Sequence, residues 1–166
     1  MFRRKRTFLA AASLAALVTF AGCASTPAPT TIADTAARTP TLSTLNRLIA
    51  EAGLTETLRG AGPFTVFAPS DEAFKAVPAK TMADLAANKD MLRAVLTYHV
   101  LPARMTSAEL TTGNAKTVQG ANVALSKAGT FVTVEDAVVQ QADVLATNGV
   151  VHVIDRVMMP PAPPRR

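Results

Sequence analysis

The chain changes its apolar period once, near Thr97, and that change limits the architectures open to it. Before Thr97, apolar side chains recur every three or four residues. Leu42, Leu45, Leu48, Ile49 and Ala52 make one helical face, with Thr41 or Ser43 as cap and Gly53 as stop. Leu54 and Leu58 add a short turn ending at Gly60. Ser70 is placed to cap a helix carrying Ala73, Phe74 and Val77, and Asp71 and Glu72 suit its positive end. Met82–Ala87 and Met91–Leu96 read as two more short helices, and Asn88 or Asp90 can cap the second. One apolar run, Phe64–Phe67 after Gly62-Pro63, reads as a strand among them. After Thr97 the strand formers take over: Tyr98–Leu101, Lys116–Gln119, Asn122–Ser126, Phe131–Glu135, Val138-Val139 and Gly149–Met158. They are separated by Pro102, Gly113-Asn114, Gly120, Ala128-Gly129 and Asn148-Gly149. Helices first and strands later predict an α+β domain with a largely antiparallel sheet.

The 166 residues suit one domain with tails, and 49% apolar against 17% charged residues excludes intrinsic disorder. The net charge of +5 suggests a nucleic-acid partner until it is located. Arg3, Arg4, Lys5 and Arg6 hold four of the 17 bases; the other 13 meet 12 acids, a net of +1. No basic cluster of the kind that binds phosphates remains, so no nucleic acid is expected as a partner.

The four basic residues open a leader. An apolar, alanine-rich stretch from Thr7 to Phe20 follows, then Ala21-Gly22-Cys23. About 14 apolar residues make a secretory h-region and fall short of the roughly 20 that span a bilayer. Cys23 is the single cysteine, so no disulfide framework exists within the chain. Its setting resembles a bacterial lipobox, with Phe20 where leucine is usual. The resemblance implies cleavage after Gly22 (residues 1–22 as signal peptide) and acylation of Cys23. Two or more acyl chains would hold the protein on a membrane surface without spanning it. Residues 23–31 then read as the lipidated cysteine and a flexible linker, 32–159 as the domain, and 160–166 (Pro-Pro-Ala-Pro-Pro-Arg-Arg) as an exposed tail.

Three segments resemble, in order and spacing, the conserved blocks of the fasciclin (FAS1) domain family. They are Gly62-Pro63-Phe64-Thr65-Val66-Phe67-Ala68-Pro69-Ser70-Asp71-Glu72-Ala73-Phe74, then Leu96-Thr97-Tyr98-His99-Val100-Leu101-Pro102, then Asn148-Gly149-Val150-Val151-His152-Val153-Ile154-Asp155 and onward to Pro160. The resemblance implies a wedge-shaped β-sandwich flanked by several short helices, used in extracellular adhesion and matrix contacts. It assigns structural roles to Phe64, Pro69, Ser70, Asp71, Phe74, Asn148, Gly149, His152 and Asp155. Tyr98-His99 with its aliphatic flanks Leu96 and Leu101 resembles an adhesion motif of animal members. It is the candidate contact strand, against a plainer reading in which Tyr98 and His99 are core residues satisfied internally.

The remaining chemistry is sparse. His99 and His152 are the only histidines, too few and too far apart in sequence for a zinc site, so no metal or other cofactor is expected. Neither a Gly-x-Ser-x-Gly elbow nor a phosphate-binding glycine loop occurs, and catalysis is not expected. Phe64, Phe67, Phe74 and Phe131 with the methionines could line an apolar pocket or simply fill a core. The expected function is a non-enzymatic binding module at the envelope, meeting a protein or polysaccharide. The alternative is a periplasmic carrier or sensor of a small apolar ligand.

Overall fold

The computed structural model describes residues 30–161. The leader, Cys23, residues 24–29 and the last five residues lie outside them.

The domain begins earlier than the linker reading allowed. Thr31 caps a first helix, α1 (Ile32–Arg38): its Oγ1 accepts from the Asp34 amide at 3.3 Å and donates to the Asp34 carboxylate at 2.8 Å. Thr30 is engaged as well, because the Thr147 amide donates to its carbonyl at 2.9 Å. A 3₁₀ turn, Pro40–Leu42, leads into α2 (Ser43–Glu51). Neither Thr41 nor Ser43 caps α2. Asp71, far along the chain, accepts from the Thr44 amide and the Ser43 hydroxyl, each at 2.8 Å. Gly53 stops α2 at φ +70°, a conformation that favours glycine. Three more helices are α3 (Thr55–Arg59), α4 (Asp71–Lys75) and α5 (Ala79–Ala87). The last, α6 (Lys89–Tyr98), is capped by Asn88, whose side chain accepts from the Asp90 and Met91 amides.

Seven strands form one mixed sheet: β1 (Phe64–Pro69), β2 (Val100–Leu101), β3 (Gly113–Lys116), β4 (Asn122–Ala128), β5 (Phe131–Val134), β6 (Ala137–Ala146) and β7 (Gly149–Ile154), in the order β2-β1-β7-β6-β5-β4-β3. Every pairing is antiparallel except β1 with β7, which run parallel from Phe64↔Gly149 to Pro69↔Ile154. These two strands are covered on both faces, which is why their sequences do not alternate. Val66, Ala68, Val151 and Val153 pack under the helices with Leu45, Leu48, Ile49 and Leu92. Phe67 and Ile154 join a second core with Val123, Leu125, Val132 and Val134 of the β4–β5 hairpin. The architecture is therefore the expected α+β one, a wedge-shaped sandwich with short helices on one side.

Several boundaries differ from the sequence reading. Tyr98 ends α6, His99 is its C-terminal cap, and the strand is only Val100–Leu101. The Lys116–Gln119 strand lies earlier, at β3, and Thr117–Gly120 turns back through a Thr117 Oγ1 bond to the Ala121 carbonyl. Strand β6 runs well past Val138-Val139, with register shifts between Val139 and Val144 where Asp143 sits at φ +59°. Strand β7 stops at Ile154, short of Met158.

Candidate functional site

The motif residues meet where β1 and β7 enter and leave the sheet. At the start of these strands Asn148 holds three elements together. Its Oδ1 accepts from the Ile32 amide of α1 at 2.9 Å, and its Nδ2 donates to the Leu58 and Gly60 carbonyls at 2.7 and 2.8 Å. Gly149 follows with no space for a side chain, since a Cβ would overlap the Phe64 carbonyl. Phe64 itself is half-buried.

At the far end Ser70 caps α4, its Oγ accepting from the Ala73 amide at 3.3 Å. Ser70→Ala is expected to cost about 1 kcal/mol in urea unfolding; no change would remove the cap from the stability balance. Asp71 lies in the first turn of α4, but its carboxylate serves α2. Partial burial raises its pKa, while the Thr44 amide and Ser43 hydroxyl lower it by more, so the net direction is down. Phe74 is buried in the helix-side core. Pro69 ends β1 opposite Ile154. Asp155 extends the β6–β7 pairing past its last residue: its Oδ1 accepts from the Val138 amide at 2.7 Å, and its own amide donates to the Val138 carbonyl.

Both histidines are buried, and their partners define opposite tautomers. His99 donates from Nδ1 to the Val95 carbonyl at 2.8 Å and accepts at Nε2 from the Met158 amide at 3.0 Å. His152 accepts at Nδ1 from the Asp143 amide and donates from Nε2 to the Met105 carbonyl. Its ring stacks on Phe67 at 5.7 Å. Burial dominates both pKa values: His99 is pushed down to about 4, and His152 is lowered despite the Met105 bond and the nearby Asp143 carboxylate.

The candidate contact strand is not an exposed strand. Tyr98 is 3% exposed and His99 2%, and Leu96 and Leu101 are buried. The helical spacing Leu92, Val95, Leu96, His99 continues α6 and carries these side chains inward. The Tyr98 hydroxyl reaches the rim, where its one proton is shared between the Asn122 carbonyl at 3.1 Å and the Glu135 carboxylate at 3.2 Å. Burial, then the Glu135 charge, raises the phenol pKa. Strand addition at β2 is also closed, because the Val118 amide already donates to Val100 at 2.8 Å.

The aromatic and methionine set does not converge on one pocket. Phe67 and Phe74 lie in different cores, Phe64 borders an apolar crevice with Leu45, Leu58, Leu96 and Val118, and Phe131 is 72% exposed. That crevice measures about 30 Å³, whereas small-molecule sites occupy roughly 300–1,000 Å³. Beside the Tyr98 hydroxyl a wider open cleft of about 510 Å³ is lined by Asn122, Glu135, Asp136, Arg156 and Met159. Sequence reasoning passed over this rim, because Asn122, Glu135 and Arg156 each read as part of a separate strand and nothing local brings those segments together.

These features define an α+β sandwich whose three motif blocks serve as framework. The chain belongs to the fasciclin domain family, which it matches over residues 40–160. It is 44% identical over 140 residues to protein sll1483 of Synechocystis, covering 83% of this chain and 78% of that one. It is 35% identical over 136 residues to the cell surface glycolipoprotein MPB83 of Mycobacterium bovis, covering 79% and 61% respectively. The FAS1 domain pair from the insect cell adhesion molecule fasciclin I shares its fold, with a TM-score of 0.59 at 24% identity over 71% of this chain and 45% of that one.

Proposed function

We propose that this chain is an exported fasciclin domain, tethered at the cell envelope by a lipid on Cys23 and acting as a non-enzymatic binding module for a protein or polysaccharide. One observation carries the reading: the polar motif side chains are already committed to the fold. Ser70 and Asp71 cap helices, Asp155 extends a strand pair, and both nitrogens of each histidine bond the backbone. No nucleophile, base and acid converge among them. Two named relatives, one a cell surface glycolipoprotein and one a cell adhesion molecule, support the surface location and the binding role. No helix among the described residues is long and apolar enough to cross a membrane. An acyl anchor needs none. The open cleft beside Tyr98, with acid, base and apolar groups on one rim, supports a binding role better than the small apolar crevice supports a carrier.

Two measurements test this. Cys23→Ser is expected to abolish lipid labelling and move the protein from the membrane fraction to the soluble one; unchanged membrane retention would sink the anchor. Beads carrying residues 24–166 should bind producing cells or an envelope polymer saturably, and Arg156→Glu in the cleft should weaken that binding without changing the melting curve. Absence of binding to cells, matrix polymers and envelope extracts alike would overturn the adhesive role.

A further inference from the structure

We infer that the end of the domain built around the β6–β7 turn rests on the lipid surface, with Leu145 as its apolar contact. The inference rests on the lipid anchor proposed above and adds the face that anchor imposes. Thr30, the first described residue, is bonded to the turn through the Thr147 amide, and Ile32 is bonded to Asn148. The chain thus enters the fold beside residues 145–148. Six residues separate Cys23 from Thr30, and the seven Cα–Cα steps between them can span at most about 25 Å. A domain of this size is about 35 Å across. The tether is therefore too short to let the opposite end, near Met159 and the cleft beside Tyr98, turn toward the bilayer.

The surface at the near end suits that position. Leu145 is 61% exposed although it lies in a strand, paired with Val150. Its neighbours at this end include exposed Ala61, Pro63 and Thr147, none of them charged. The acids Asp34 and Glu56 are both held by Arg59, at 3.3 and 3.1 Å. An exposed leucine costs little in water but gains free energy when its side chain enters the headgroup–acyl boundary. With this end down, the Tyr98-side cleft faces away from the membrane, where a partner can reach it.

The chain contains no tryptophan, so one introduced indole is an unambiguous reporter. The processed, full-length protein carrying Leu145→Trp, Thr147→Trp or Met159→Trp would be reconstituted into phosphatidylcholine vesicles with and without brominated acyl chains. Flotation would first show that each variant is on the vesicles. The expected result is a fall of roughly half in emission at 145, a smaller fall at 147 and none at 159, consistent with contact only about 5–10 Å deep. Equal quenching at all three positions, or none at 145 and 147 on floated protein, would overturn the orientation and leave the anchor standing. Failure to float would remove the anchor, and the orientation with it.

Discussion

Gly149→Ala is expected to leave the domain unfolded, or destabilised by more than about 4 kcal/mol, in thermal or urea unfolding. The reason lies in the parallel pairing of β1 and β7. Gly149 pairs with Phe64 at the first rung, and a Cβ there would overlap the Phe64 carbonyl oxygen and lie 2.8 Å from both the Phe64 carbonyl carbon and Ile32 Cδ1. Two of these atoms are backbone within a strand and cannot swing aside as the end of a side chain can. Relief requires moving β1 away from β7, which opens both cores, because these strands contribute to each. The same crossing is tight from the other side, since a Cβ on Gly62 would overlap the Asn148 carbonyl. Gly129→Ala is the control: Gly129 has φ +63° and no atom near its missing Cβ. It should cost only about 1 kcal/mol, from the left-handed backbone alone. Wild-type-like melting of Gly149→Ala would mean that β1 and β7 do not approach as described.

The contrast between these glycines shows what the sequence carried and what it did not. Local rules were legible. Ser70 announces its helix, Asn88 or Asp90 announces another, Gly53 stops α2, and the run Val150-Val151-His152-Val153-Ile154, apolar except for His152, reads as a buried strand with one polar residue satisfied internally. The order of the three blocks was enough to reach the family and hence the sandwich. Relations between distant segments were not legible. Asp71 looks like a first-turn acid of its own helix, and nothing local reveals that its carboxylate caps α2. Parallel pairing of Phe64–Pro69 with Gly149–Ile154 joins residues some 85 apart in the chain. Tyr98-His99 was misread as strand because an aromatic ring and the β-branched Val100 favour extended structure. The spacing from Leu92 to His99 was the better signal, and it places the motif in the core. The β6 irregularity was hidden because Gln140–Asp143 carry no apolar alternation. The long β6 strand depends there on Asp143, whose amide meets His152 and whose carboxylate takes the Ser107 amide and hydroxyl.

Acid should weaken the domain in a window set by its histidines. His99 is neutral in the fold, with Nδ1–H on the Val95 carbonyl and the Nε2 lone pair on the Met158 amide. A second proton would have to replace that lone pair in a fully buried site, and the pKa falls from its ordinary 6.5 to about 4. The unfolded chain takes up this proton near pH 6.5, and the folded chain does not until about pH 4. Between those values the unfolded state binds more protons, so stability falls as pH falls, by about 1.4 kcal/mol per unit and about 3 kcal/mol over the window. Above pH 6.5 this contribution is fully present, and below about 4 no more is lost through His99. His152 is shifted in the same direction and adds to the slope. The lowered carboxylates Asp34, Asp71, Glu109 and Asp143 also lose stability on acidification, but in a lower window beginning near their unfolded values of about 4. Urea unfolding at intervals from pH 7.5 to 4.5 would measure the slope before those acids contribute. His99→Gln, whose amide can donate to Val95 and accept from Met158, should be less stable than wild type at pH 7.5 but should lose much of the pH dependence. An unchanged slope in that variant would show that His99 already takes up its proton in the fold, and that the contact between the end of α6 and residues following β7 does not depend on a neutral ring.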